Sequence, residues 1–267
     1  MGPNIAVLKN LSVAMQGRNH TDRNKGRSDG VAGNKVMVSK TQQQFKKEDV
    51  MIKLYGIGIS NNVNKVRYCL NCLGLKYDWV QTNPIQDENK KPEYLEICPT
   101  GKVPAMEIDG LKLFESNAIN KYLATTNNSP IYPQDAKKRA VADAWIDYVA
   151  IHVAQAMGRV VFNRLFAPLT GQKVDETSLQ VGLEFLDKYF PILEKQLSPN
   201  TYLAGKEFSL ADINLLAVLD PCELVQISID KYPALKKWRA GLKSQPFYQK
   251  CYKDYTQFVQ EVMSAKA

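Results

Sequence analysis

The stretch Gly101–Ala124, GKVPAMEIDGLKLFESNAINKYLA, decides the fold. Val103 to Ile108 alternates in part and ends at Asp109-Gly110, a dipeptide whose two positions both tolerate positive φ. It predicts a strand closed by a two-residue hairpin turn. Leu111 to Phe114 is the returning strand, and Ala118, Ile119, Tyr122 and Leu123 then share one face at helical spacing. Pro104 cannot donate to a ladder, which predicts an edge position or a cis X-Pro turn. Glu115-Ser116 falls where the helix begins, beneath unpartnered N–H groups and the positive end of the helix dipole. Such a corner suits a ligand with an α-amino acid end, its carboxylate on the helix N-terminus and its ammonium on Glu115. An ordinary helix cap accounts for the same two residues.

Upstream, Val50 to Tyr55 reads as a strand, Gly56 to Asn62 as a loop, and Lys65 to Leu73 as a helix stopped by Gly74. Tyr77 to Gln81 is a second strand and Pro92 to Ile97 a short helix. The order β-α-β-α-β-β-α over residues 50–126 is that of a thioredoxin-like domain. Residues 127–137, opening with Asn127-Asn-Ser-Pro-Ile-Tyr-Pro133, form a linker by composition. Everything from 138 to 267 reads as helix: Lys138 to Phe166, Val174 to Leu197 with a kink or break at Pro191, Leu210 to Leu219, Ala234 to Leu242 and Tyr252 to Ala265. Phe208-Ser-Leu-Ala-Asp-Ile213 carries a capping box, Ser209 with Asp212, and a Phe208–Ile213 staple. The expected class is α+β, a thioredoxin-like N-terminal domain followed by an all-α helical bundle.

A chain of 267 residues has room for one large or two modest domains. No run approaches the length of a transmembrane helix, so no membrane role is expected. Of the net charge of +8, a surplus of five lies in the first fifty residues, with nine Lys or Arg against four Asp or Glu. A nucleic-acid role would rest on that tail and on no folded face, so none is assigned. Residues 1–49 are polar and poor in large apolar groups, which predicts a disordered basic extension. Within it Ile5 to Met15 can form a short amphipathic helix, so organelle targeting stands beside a plain tail or an upstream start. The five cysteines have no framework spacing, which favours reduced thiols and a cytoplasmic location. No metal site is assigned.

The chemistry begins in Gly56-Ile-Gly-Ile-Ser60-Asn-Asn62-Val-Asn-Lys65-Val-Arg67. Ser60 lies between the first strand and its helix, where thioredoxin-like folds place a reactive group. Gly56-x-Gly58-x-x-Asn61 with Asp78 imitates a dinucleotide fingerprint, but its third glycine is missing and no second βαβ set follows. Cys69-x-x-Cys72 imitates a redox pair but lies inside the helix, where two packed side chains are expected. Tyr148, His152, Gln155 and Arg159 form a polar stripe, which fits a solvated face, a dimer surface or a cleft wall alike.

Together, Val103-Pro104, Asp109-Gly110 and Glu115-Ser116 at this spacing resemble the glutathione-binding half of soluble glutathione transferases. KVPAMEI, FESNAINKYLA and YLAGKEFSLADI are the strongest pieces, and the resemblance runs over about residues 51–260. Around Ser60 it is to bacterial and plant members of theta-like and phi-like type, which read S-x-N-x-x-K-V-R or S-x-x-x-R-R-V. The resemblance implies that Ser60 activates the glutathione thiol, with Asn62 at a position some relatives use instead. It implies that Lys102, Val103, Pro104, Glu115 and Ser116 bind glutathione, Val103 through its backbone and Lys102 through the glycyl carboxylate. Asn89-Lys90 stands where phi-like relatives have His-Lys, which moves weight to Lys90. Cys98 stands where many have Asn. The electrophile is expected between the first loop and the long helix, near Ile57, Ile59, His152 and Met157. The activity implied is conjugation of glutathione, the co-substrate, to small hydrophobic electrophiles by a homodimer. A glutathione-binding regulatory module without turnover, or a glutathione-dependent dehalogenase, lyase or isomerase, is the alternative.

Overall fold

The computed structural model describes residues 51–251, all within the unit Gln44–Ala267. The expected extension 1–49 with its helix at Ile5 to Met15, the strand start at Val50 and the helix Tyr252 to Ala265 lie outside the described residues.

The first half runs β1 (Ile52–Gly56), α1 (Asn61–Leu73), β2 (Asp78–Gln81), α2 (Pro92–Leu95), β3 (Ala105–Ile108), β4 (Leu111–Phe114) and α3 (Ser116–Thr126). The sheet order is β2-β1-β3-β4, with β1 and β2 parallel and the other pairs antiparallel. This is the expected thioredoxin-like layout. The hairpin is as read: Asp109 and Gly110 have φ of 48° and 78°, the two positive values that a tight turn between right-twisted strands needs. Along β1 the pleat sorts the side chains. Ile52 and Leu54 enter the main core with Val66, Leu70, Ile119 and Leu123 of α1 and α3, while Tyr55 packs with Tyr94, Ile97 and Cys98 on the other face.

α1 begins four residues earlier than its apolar spacing suggested. Asn61 and Asn62 are poor interior helix residues, but they sit in the first turn behind the cap of Ser60, where no interior bond is required. Gly74 closes the helix at φ 64°.

The second half is helical: α4 (Ala136–Tyr148), α5 (Ala154–Val161), α6 (Ala167–Thr170), α7 (Glu176–Leu197), α8 (Leu210–Val218), α9 (Pro233–Lys243) and α10 (Pro246–Gln249). The single helix expected from Lys138 to Phe166 is α4 to α6, joined through π-helical turns at Val149–Val153 and Phe162–Phe166. In the second of these Asn163 Nδ2 donates to the Arg159 carbonyl one turn back, at 2.9 Å. α7 continues through Pro191 without a break. The capping box of α8 is present and extended: the buried Asp212 carboxylate accepts from Ser209 N and Oγ, from Leu203 N and from Trp238 Nε1. One apolar core runs through both halves, from Leu54 and Met106 to Met157, Leu193 and Leu216.

Candidate active site

Strand register assembles the site. β1 and β3 pair Tyr55 with Ala105, and β3 and β4 pair Ala105 with Phe114. The residues just beyond those pairs therefore meet at one edge of the sheet: Ile57 to Ser60 after β1, Val103-Pro104 before β3, and Glu115-Ser116 after β4. The Val103–Pro104 bond is cis, as one reading of Pro104 had it.

Ser60 is the N-cap of α1. Its Oγ accepts from Val63 N at 3.4 Å, and its own N–H donates to the Ile57 carbonyl at 3.0 Å. A capping oxygen that accepts keeps its hydroxyl proton for another partner. Buried Asn64 pins the loop to the helix through Nδ2 to the Gly58 carbonyl at 3.1 Å. Gly56 permits the close approach of β1 and α1: an added Cβ there would lie 2.5 Å from Val63 Cγ2. That steric need, and no phosphate turn, accounts for this glycine. Asn62 is exposed in the first turn of α1.

At α3, Glu115 is exposed with φ 68° and ψ 109°, a left-handed backbone that a non-glycine residue rarely adopts. Ser116, buried, is the first residue of the helix. Glu115 makes no side-chain cap bond to α3. The spacing of α1 gave no warning of Lys65, which is 3 % exposed. Burial lowers its pKa to about 8, and the neighbouring Glu115 carboxylate works against that fall. The same turn of α1 is tied to α3, since Asn120 Nδ2 donates to the Lys65 carbonyl at 3.1 Å.

The Gly101-Lys102 carbonyls are held from below, by Asn89 Nδ2 to Gly101 O and by Tyr94 OH to Lys102 O, both at 2.6 Å. Lys102 itself is exposed. Asn89 is buried with its Oδ1 unpartnered, so it braces the loop, while exposed Lys90 pairs with Asp87 at 2.8 Å.

The residues expected to receive the electrophile are not all gathered here. Ile57 and Ile59 are in the corner but buried against Val103 and Leu224, a residue of the helical half that no sequence signal marked. Met157 is 1 % exposed and packs in the main core, on the side of α5 opposite exposed Gln155. His152 is exposed and packs its ring against Tyr148 and Tyr189 at centroid distances of 5.4 and 5.3 Å. Phe185 stacks on Tyr189 at 5.7 Å. Cys69 and Cys72 are not a redox pair in character: burial pushes the Cys69 thiol well up, and burial with the nearby Cys251 thiol takes Cys72 to about 12.

Comparison with known proteins agrees with this architecture. The family model for the glutathione S-transferase N-terminal domain matches residues 50–125, and that for the C-terminal domain matches residues 153–246. Glutathione S-transferase 1 of Zea mays is 34% identical over 203 residues, covering 74% of this chain and 94% of that protein. Glutathione transferase F7 from Populus trichocarpa superposes with a TM-score of 0.70 at 31% identity, over 75% of this chain and 97% of that one. Glutathione S-transferase I from Mais, in complex with an atrazine glutathione conjugate, gives a TM-score of 0.69 at 34% identity, over 75% and 95% of the two chains.

Proposed function

The chain belongs to the glutathione S-transferase family, and from that premise we propose that Ser60 is the group that holds the glutathione thiolate. The enzyme conjugates glutathione, its co-substrate, to electrophiles. The sulfur is the nucleophile, and a free thiol with a pKa of about 8.5 is mostly protonated at neutral pH. A hydroxyl donating to the sulfur, beside the N-terminus of α1, stabilises the ionised form. Lowering the pKa by about two units needs roughly 2.7 kcal/mol, within reach of one charge-assisted hydrogen bond and a helix-dipole contribution. The observation that carries this reading is the placement of Ser60 as the N-cap of α1, accepting from Val63 N with its proton left to donate. Asn62, two residues along and exposed, is the lesser candidate.

In this reading Glu115 receives the α-ammonium of glutathione and the N–H groups at Ser116 its α-carboxylate. Val103 lends backbone groups beside Pro104, and Lys102 with Lys90 faces the glycyl end. Ile57 and Ile59 supply the apolar floor for the acceptor. Residues 50–126 serve as the glutathione half and 138–267 as the acceptor half, joined by 127–137. Five free thiols support a reducing, cytoplasmic setting. The face with Ile151, Phe185 and Ile192, exposed by 61%, 36% and 45%, suits a second copy of the chain; a monomer in sedimentation equilibrium would remove that assignment.

Turnover of a chloro-nitro-aromatic acceptor tests the mechanism. Ser60→Ala is expected to lower it about 25-fold at pH 7, as the thiolate fraction falls from roughly 0.8 to roughly 0.03 with the loss of about two pKa units. Undiminished turnover in both Ser60→Ala and Asn62→Ala would contradict it.

A further inference from the structure

Ser60 opens α1, and the other end of the same helix is buried against the helical half of the chain. Tyr68 lies about 12 Å along the axis from Ser60 at 1.5 Å per residue. Its hydroxyl, fully buried, donates to Asp220 Oδ2 at 2.7 Å. Asp220 follows α8 and is 2 % exposed; its Oδ1 accepts from Tyr248 of α10 at 3.0 Å. The Tyr68 ring meets those of Phe247 and Tyr248 at 6.1 and 5.1 Å, and Asn71, one turn on, donates to the Phe247 carbonyl at 2.9 Å. Arg239 and Lys243 of α9 are the cations whose field reaches the Asp220 carboxylate. The reading of the reaction uses none of these groups.

We propose that the buried Tyr68–Asp220 hydrogen bond is a clasp that sets the placement of α1, and through it that of the Ser60 hydroxyl, so that both are positioning residues for thiolate formation. The near end of the helix is located by the tight contact of Gly56 with Val63 and by Asn64 on the loop. At the far end the clasp and Asn71 on the Phe247 carbonyl together fix a second point, the clasp through a buried carboxylate. Misplacing a reacting group by about 1 Å costs up to about 100-fold in rate, so a second anchor matters to a donor at the helix tip. Tyr248 holds Asp220 from the helical side and does not touch α1's placement through that bond.

The proposal rests on the role given to Ser60, and the test separates the two. Full-length protein is saturated with glutathione, and the thiolate absorbance is titrated against pH for wild type, Ser60→Ala, Tyr68→Phe and Tyr248→Phe. In wild type the bound thiol is expected to ionise well below free glutathione, and in Ser60→Ala to return towards it. Tyr68→Phe is expected to raise it by about 0.7 unit, an about twofold loss of thiolate and of kcat at pH 7 and about fivefold well below pH 6, with KM for glutathione nearly unchanged. Tyr248→Phe removes a hydrogen bond from the same carboxylate and is expected to lower thermal stability while leaving the thiol where it was. Tyr68→Phe combined with Asp220→Asn, which removes the buried charge that the lost phenol would leave under-satisfied, is the second variant and is expected to show the same rise. An unshifted thiol in Ser60→Ala overturns the underlying reading. A shifted thiol in Ser60→Ala with none in either Tyr68 variant, or equal shifts in Tyr68→Phe and Tyr248→Phe, overturns the clasp alone.

Discussion

At the scale of single residues, the site depends on a few side chains whose type is common and whose placement is not. Glu115 is exposed, so its carboxylate adds little to the fold, yet its backbone is held at φ 68°. A strained residue with an outward acid fits ligand capture better than capping. Glu115→Gln keeps the shape and removes the charge; calorimetry is expected to show glutathione binding weakened at least about tenfold, the worth of a hydrogen bond to a charged group, with an unchanged melting temperature. Equal affinity would take the ammonium away from Glu115. The helix starts at Ser60 and at Glu115-Ser116 were legible because each stands at a break between periodic segments. The burial of Lys65 was not: it sits between Val63 and Val66 in a pattern that gives a lysine no reason to be buried, and it is 3 % exposed. Met157, expected on a stripe next to His152 and Gln155, is buried, because two positions past Gln155 is nearly the opposite face of the helix.

Among elements, the hairpin β3–β4 and the cap of α8 were readable to the residue, since Asp109-Gly110 and Ser209-x-x-Asp212 are local chemistry. The start of α1 was missed by four residues because its first turn buries little before Val63 and is defined by a cap. The linkage of α1 to the helices beyond was not legible at all: Tyr68 and Asp220 are 152 residues apart. That linkage has a pH signature. Burial raises the Asp220 carboxyl from its ordinary 3.8 to about 7, against the donors Tyr68 and Tyr248 and the charges of Arg239 and Lys243. The folded chain thus holds this proton more tightly than the unfolded chain. The contribution is fully present below pH about 4 and is lost as pH rises through about 7. At about 1.4 kcal/mol per unit it amounts to roughly 4 kcal/mol. Denaturant unfolding of wild type and Asp220→Asn from pH 4 to 8 is expected to show wild type losing stability relative to the variant over that window; parallel profiles would place the carboxyl's titration elsewhere.

For the whole molecule, order of elements was the readable quantity and assembly was not. A β-α-β-α-β-β-α run followed only by helices admits few arrangements, and the described fold is the one expected. Which helical residue closes over the first loop could not be read, because Leu224 reaches Ile57 and Ile59 only through the docking of one half on the other. The central proposal is that the edge where β1 and β4 end and β3 begins is a glutathione site whose sulfur meets Ser60. A crystal structure of the full chain with glutathione tests it most directly. The expected result is the sulfur within hydrogen-bond reach of Ser60 Oγ and the γ-glutamyl end between Glu115 and the first N–H groups of α3. Glutathione elsewhere, or its sulfur turned away from Ser60 towards another donor, would contradict the account.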